Sequence, residues 1–142
     1  MEEMRQQATD KKLDIEFDED ETWKAVGDRS ANFNNAIGTH TRDLLLPYYF
    51  TYKEQPEPRR NLIWERISSQ FRLKDTEQHR AAIVMQTKKS LKEWHHDLHQ
   101  HYKKVVDEHG LDGAPQHPHH SVDGDKWCNY IRHVNSERFQ VK

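Results

Sequence analysis

Histidines are the residues of this sequence whose spacing comes nearest to a metal site. His95 and His99 stand four residues apart, so two imidazoles on consecutive helical turns could reach one divalent cation. The pair lacks the glutamate of a His-Glu-x-x-His site. The acid between the two histidines is Asp97, which lies on the other side of the helix. A second histidine cluster, at 117–120, lies in a proline-flanked stretch. We interpret these histidines as solvated side chains and predict no bound metal and no cofactor.

Lysines form a second pattern of chemical interest, along residues 77–107. At about 100° per residue, Lys88, Lys92 and Lys103 share one side of a helix with His96 and His99. Their stripe borders an apolar one, and basic residues concentrated in this way are what a surface that follows phosphates requires. The alternative interpretation is that lysine stems cover the edge of a buried face while their ammonium groups stay in water.

Charge is divided unevenly along the chain. Residues 59–104 hold eleven Lys and Arg against five Asp and Glu, a balance of +6, whereas the whole chain sums to −2. Residues 1–28 hold ten acids against four bases, a balance of −6. Such a division indicates that one part of the chain meets an anion. The predicted nucleic-acid contacts are the eight basic side chains Arg59, Arg60, Arg66, Lys88, Lys89, Lys92, Lys103 and Lys104.

Catalysis is not indicated by any motif in the sequence. There is no nucleophile elbow, phosphate-binding glycine loop or dinucleotide fingerprint, and the chain has only five glycines from which to build one. The pattern also offers no alternating strands to carry the three spaced carboxylates that two-metal nucleotidyl transfer needs. We therefore predict that the protein is not an enzyme.

Cysteine content and hydropathy limit the compartment. Cys128 is the only cysteine, which excludes an intrachain disulfide and the cysteine-based zinc patterns. The sequence has no apolar run of about 18 residues and no cleavable signal pattern at its polar N-terminus. These features predict a reducing compartment, cytosol or nucleus, and no membrane partner.

Apolar spacing predicts a mainly α fold, in which a small helical domain has three Trp-centred helices, one of them long. The helices are expected at about 59–71, 77–107 and 122–135, around Trp64, Trp94 and Trp127. Residues 23–38 look irregular, with the Asn-rich stretch 32–35 as punctuation. We predict an irregular, acidic and poorly ordered N-terminal segment at 1–31 and the helical domain at 32–142.

The order of several short motifs resembles the plant transposase domain of the Ptta/En/Spm (CACTA-type) group. Each motif is degenerate taken singly, and their order over residues 32–142 carries the likeness. The motifs are Asn34-Asn35-Ala36-Ile37-Gly38, Arg42, Leu46-Pro47, Pro58, Leu62-Ile63-Trp64, Ile67 with Phe71, Lys89 with Leu91, Trp94, Leu98 and Tyr102, Pro118, Val122, Trp127, and Asn135-Ser136-Glu137-Arg138-Phe139-Gln140.

This resemblance implies a nuclear, transposon-derived plant protein, and it supplies no catalytic residues. The chain departs from the family at Tyr52, where relatives often carry Trp, and at His95 and His96, where relatives are richer in Arg and Lys. Relatives also tend to continue beyond Gln140 with a basic segment, so the domain is expected to be truncated at its C-terminal end.

Two hypotheses of different classes follow. The first is a non-catalytic accessory domain that binds DNA through the basic helix face, with a log affinity that falls with log salt at a slope of about −4 to −5. The second is a protein-interaction or oligomerisation module, in which the seven-residue repeat Val84, Leu91, Leu98 and Val105 docks a partner helix or a second copy. An exposed apolar stripe would favour the partner helix, and an exposed basic stripe alone would favour nucleic acid.

Overall fold

The structure, a computed structural model, describes residues 12–135. Within these residues it confirms the mainly α fold: four helices surround one core, and the sheet is a single pair of short antiparallel strands. In chain order the elements are β1 (Glu16–Phe17), β2 (Ala25–Val26), α1 (Ser30–Leu44), α2 (Glu57–Gln70), α3 (Glu77–Gly113), a 3-10 turn (Ala114–Gln116) and α4 (Gly124–His133).

The long helix α3 begins where the sequence predicts it. The Thr76 side chain accepts a hydrogen bond from the backbone N–H of His79 at 3.2 Å, which satisfies one of the open donors at the helix start. The regular helix is interrupted at Gly110, whose φ of 77° is a conformation that L side chains rarely adopt. Glycine is therefore the residue that lets the chain turn there.

Helix α1 corrects the prediction of irregular structure at 23–38. It includes the Asn-rich stretch 32–35, and its buried residues Phe33, Ile37, Thr41 and Leu44 recur at helical spacing. This face has few apolar residues, and the polar residues between them make its helical periodicity weak in the sequence. Burial against the rest of the domain outweighs the modest helix propensity of asparagine.

The apolar stripe of α3 lies inside the domain. Leu91, Trp94 and Leu98 are at most 2% exposed, and α1 is among the elements packed against their helix. Trp127 of α4 is fully buried, and its indole N–H donates to the Ala114 carbonyl at 2.9 Å. The chain's own helices therefore fill the seam that the second hypothesis assigned to a partner.

The N-terminal segment is packed rather than separate over its described part, 12–31. The ring of Phe17 meets that of Phe33 edge to face, with 5.5 Å between centroids. Leu13 also bridges the end of α2, because its N–H donates to Gln70 and its carbonyl accepts from Arg72. Helix α1 begins at Ser30, so the predicted boundary between 31 and 32 falls within a helix. The predictions for residues 1–11 and 136–142 lie outside the described residues.

Four consecutive acidic residues of this segment, 18–21, lie at a turn on the surface. Asp18 accepts hydrogen bonds from the Thr22 hydroxyl at 2.8 Å and from the Thr22 backbone N–H at 3.3 Å, and these bonds lower its pKa.

Among the helices between residues 12 and 135, none is both long and apolar enough to cross a membrane.

Candidate nucleic-acid interface

A groove of about 760 Å³ runs between α3 and the loop 50–53. Lys53 reaches it from the loop, and Lys88 and Lys92 reach it from consecutive turns of α3. All three lysines are exposed. The remaining lining residues come from the same two elements, and they are Phe50, Thr51, Tyr52, Leu91, His95, His96 and His99.

The charge of the groove is of one sign. None of the described residues that line it is an Asp or a Glu. The nearest acid in sequence to Lys53 is Glu54, which accepts the Thr51 hydroxyl at 2.9 Å and donates its backbone N–H to the same hydroxyl at 3.2 Å. Three lysines without an acid between them leave a positive potential that an anionic chain would neutralise.

Gln55 closes the loop that carries Lys53. Its side chain is 2% exposed; its amide nitrogen donates to the carbonyls of Leu46, at 2.8 Å, and Tyr49, at 3.1 Å. Its amide oxygen accepts the Leu46 backbone N–H at 2.9 Å. One buried side chain thus satisfies three backbone groups across the base of the loop.

Two of the predicted contact residues, Arg59 and Arg60, hold the same loop through bonds within the chain. Arg59 donates to the carbonyl of Leu44, the last residue of α1, at 2.8 Å, where a cation is favoured by the open carbonyls. Arg60 donates to the Gln55 carbonyl at 3.0 Å, and its guanidinium carbon lies 5.6 Å from the centroid of the Tyr52 ring. Both guanidiniums thus hold a carbonyl of the chain itself, and their contact with nucleic acid stays a prediction.

Four further predicted residues lie away from the groove. Arg66 stands two residues after Trp64 on α2, so the two side chains point about 200° apart. The guanidinium carbon of Arg80, at the start of α3, lies 4.3 Å from the centroid of the Trp64 ring. Arg66 therefore points away from that helix.

Lys89, Lys103 and Lys104 are separated from the groove along or around α3. Lys89 is turned about 100° from Lys88 and lines a cleft of about 490 Å³ between α1 and α3, together with the acids Glu93 and Asp97. Lys104 is turned about 160° from Lys88. Lys103 keeps the direction of the stripe but lies about 16 Å beyond Lys92 along the axis, beside Leu111. Of the eight predicted residues, only Lys88 and Lys92 line the groove.

Lys53 and Tyr52 are the groove residues that sequence reasoning missed. They lie about 35 residues before Lys88, and no local periodicity connects a loop with a helix face that distant in sequence. The aromatic residues within 48–52 did indicate that this loop packs against the domain, because aromatic side chains bury a large apolar area. Phe50 supplies that anchor, with its ring centroid 5.2 Å from that of His95 and 6.2 Å from that of Tyr130.

Tyr52 is half-buried beside the lysines. Burial raises the pKa of its hydroxyl, and the nearby Arg60 charge opposes that rise. The phenol therefore stays neutral at physiological pH, and it adds no negative charge to the groove.

The two histidines at metal-ligand spacing have different environments. His95 is buried, and its Nε2 lies 3.0 Å from the Pro47 carbonyl oxygen, which can only accept, so that nitrogen carries the proton and donates. His99 lines the groove. Within residues 12–135 no group of three or more His, Cys, Asp or Glu side chains could hold a metal ion.

His119 is held as a neutral acceptor at the end of the domain. The Ser121 backbone N–H donates to its Nδ1 at 3.1 Å, so Nδ1 has no proton and also accepts the Ser121 hydroxyl at 2.7 Å. That hydroxyl accepts the Trp94 indole N–H at 2.8 Å. Burial lowers the pKa of His119, and the neighbouring His120 and His101 lower it further.

His79 is held in a similar way at the start of α3. Its Nδ1 accepts the Lys74 backbone N–H at 3.0 Å, and its ring centroid lies 5.0 Å from that of Phe17. Burial is the main cause that lowers its pKa; the Lys74 charge adds to this effect and the Glu19 charge opposes it.

Mild acid is expected to destabilise the fold through these two histidines. Because the folded-state pKa of each lies below the unfolded value of about 6.5, their contribution is complete above that pH and is lost as the pH falls through it. The melting temperature should therefore be lower at about pH 5.5 than at about pH 7.5. In His79→Asn/His119→Asn, whose side chains keep an acceptor without a proton site, the drop should be smaller. An equal drop in both proteins would contradict this account.

The buried hydrogen bonds of the Gln55 side chain predict a second effect on stability. Gln55→Leu should lower the free energy of unfolding by about 2–4 kcal/mol, because the Leu46 N–H and the Tyr49 carbonyl lose their bonds to the amide and the Leu46 carbonyl keeps only the Tyr49 N–H at 3.4 Å. Chemical denaturation followed by circular dichroism measures the change. The matched control is Gln78→Leu, at an exposed position of α3, which should change stability by no more than about 0.5 kcal/mol. Equal effects of the two substitutions would show that the amide does not hold the loop.

No protein-family model, curated protein or solved structure matches the chain.

Proposed function

We propose that this domain binds nucleic acid through its phosphate backbone and that Lys53, Lys88 and Lys92 provide the contacts. The observation that carries the proposal is the convergence of a loop lysine with two helix lysines on one acid-free groove. A groove of this charge suits a phosphate chain, whose counterions are released when ammonium groups replace them. The proposed role is non-catalytic, and DNA is the partner predicted from the basic residues of the sequence.

The apolar stripe of α3 supports the nucleic-acid hypothesis over a partner helix. Its central residues Leu91, Trp94 and Leu98 are buried by the domain itself, whereas Lys88 and Lys92 are exposed. The second hypothesis would therefore need the helices to separate before a partner could reach this seam.

A nuclear, transposon-derived origin in a plant belongs to the same proposal. It depends on the order of motifs that resembles the plant transposase domain, and it agrees with DNA as the partner. The resemblance stays a prediction, and the charge of the groove does not depend on it.

Fluorescence anisotropy tests the proposed function. The purified chain is titrated into labelled random-sequence DNA, as duplex and as single strand, between about 50 and 200 mM salt. Three lysine contacts predict a slope of log affinity against log salt near −2 to −3, less steep than the −4 to −5 expected from the sequence. The absence of binding to either form at the lowest salt would contradict the proposal.

A further inference from the structure

The groove combines cationic and aromatic groups in a concave space. Lys53 lies on the loop side and Lys88 and Lys92 on the helix side, with Tyr52 among the lining residues. Phosphate binding alone needs only the lysines. The ring is an additional feature, and its surroundings indicate what it could contact.

Tyr52 is positioned by a contact with the first turn of α2. The Arg60 guanidinium lies 5.6 Å from the ring centroid and is itself held by the Gln55 carbonyl. Gln55 is fixed in turn by its buried bonds to Leu46. The ring is thus presented by a braced loop, which lowers the entropy cost of stacking a ligand on it. Phe50 differs, because its ring packs against His95 and Tyr130.

A base is the group of a nucleic acid that stacks on an aromatic ring, and the form of the nucleic acid decides whether a base is accessible. In a duplex the base faces are stacked on one another and the phosphates lie outside, so a ring inside a concave groove gains no contact. A single strand exposes its base faces. Proteins that bind single strands combine a positive groove with aromatic stacking platforms, which is the combination found here.

We propose that the groove binds single-stranded nucleic acid, with a base stacked on Tyr52 and the flanking phosphates on Lys53, Lys88 and Lys92. This inference rests on the proposed function and specifies its ligand. It requires no base-specific hydrogen bond, so the binding is tolerant of sequence.

The test compares an oligothymidine of about 12 nucleotides, which does not pair with itself, with a mixed-sequence duplex of the same length. The oligothymidine should bind more tightly at equal salt. Tyr52→Leu should weaken oligothymidine binding by roughly 5- to 100-fold and leave duplex binding unchanged, because only the strand loses a stacking contact. Tyr52→Phe keeps the ring and should retain the affinity. Inorganic polyphosphate, which has phosphates without bases, should bind the parent chain and Tyr52→Leu equally.

Each outcome of this test bears on one proposal. Equal affinity for both DNA forms, or a Tyr52→Leu variant that keeps its oligothymidine affinity, overturns the single-strand inference and leaves backbone binding standing. An equal loss of polyphosphate and oligothymidine binding in Tyr52→Leu also overturns it, since the ring would then support only the loop. Failure of both DNA forms to bind the parent chain overturns the proposed function as well.

Discussion

Trp127→Ala is expected to lower the free energy of unfolding by about 3–5 kcal/mol. The indole is fully buried, packs in parallel against Tyr130 at 5.5 Å between centroids, and donates its N–H to the Ala114 carbonyl. Alanine leaves a cavity where α4 meets the end of α3, and the Ala114 carbonyl keeps only its bond from the His117 backbone N–H. Because small domains are stable by about 5–15 kcal/mol, this one substitution removes a large share of the stability.

Chemical denaturation followed by helical circular dichroism measures this loss. Trp64→Ala is the matched control, because the Trp64 indole is half-buried and meets Arg80 at the surface. Its expected cost is smaller, about 1–2 kcal/mol. Equal costs at the two positions would contradict the placement of α4 in the core.

Neutralising the three groove lysines is expected to have the largest effect on binding. Each lost phosphate contact makes the salt slope less steep by about 0.7 for a single strand and 0.9 for a duplex. In Lys53→Gln/Lys88→Gln/Lys92→Gln the slope should therefore become shallower by about 2–3, and the affinity at about 50 mM salt should fall by roughly 500- to 3,000-fold. All three lysines are exposed, so these substitutions should leave the stability of the fold nearly unchanged.

The matched control carries the same change of charge outside the groove. Lys74→Gln/Lys89→Gln/Lys104→Gln removes three exposed lysines that do not line it. This variant should keep the slope within about one unit of the parent value, because net charge acts only at long range and is screened by salt. If both triple variants lose affinity equally, binding follows net charge and the groove is not a site.

The helices that could be predicted from sequence are those with dense apolar spacing. The stripe through Leu91, Trp94 and Leu98 identified α3, and the predicted bounds of about 77–107 match its start and lie just short of its interruption at Gly110. Helix α1 was missed because its buried face carries few apolar residues, one of its buried positions being Thr41. Its helical state depends on packing against α3, which single-sequence periodicity does not report.

The candidate site was only partly predictable for a related reason. Helix geometry alone puts Lys88 and Lys92 on one face, and the structure agrees. Nothing local distinguishes them from Arg59 and Arg60, whose guanidiniums satisfy the carbonyls of Leu44 and Gln55. The partners of those arginines are set by the path of the loop, and the same path brings Lys53 to the groove.

The most direct test of the central claim is the location of bound DNA on the chain. An amide NMR titration of isotope-labelled protein with a short oligothymidine reports this residue by residue. Our account predicts that the shifts concentrate at residues 50–53 and 88–99 and leave the surroundings of Arg66 and Lys104 unchanged. Shifts centred on Arg66 or Lys104, or no shifts at low salt, would contradict it.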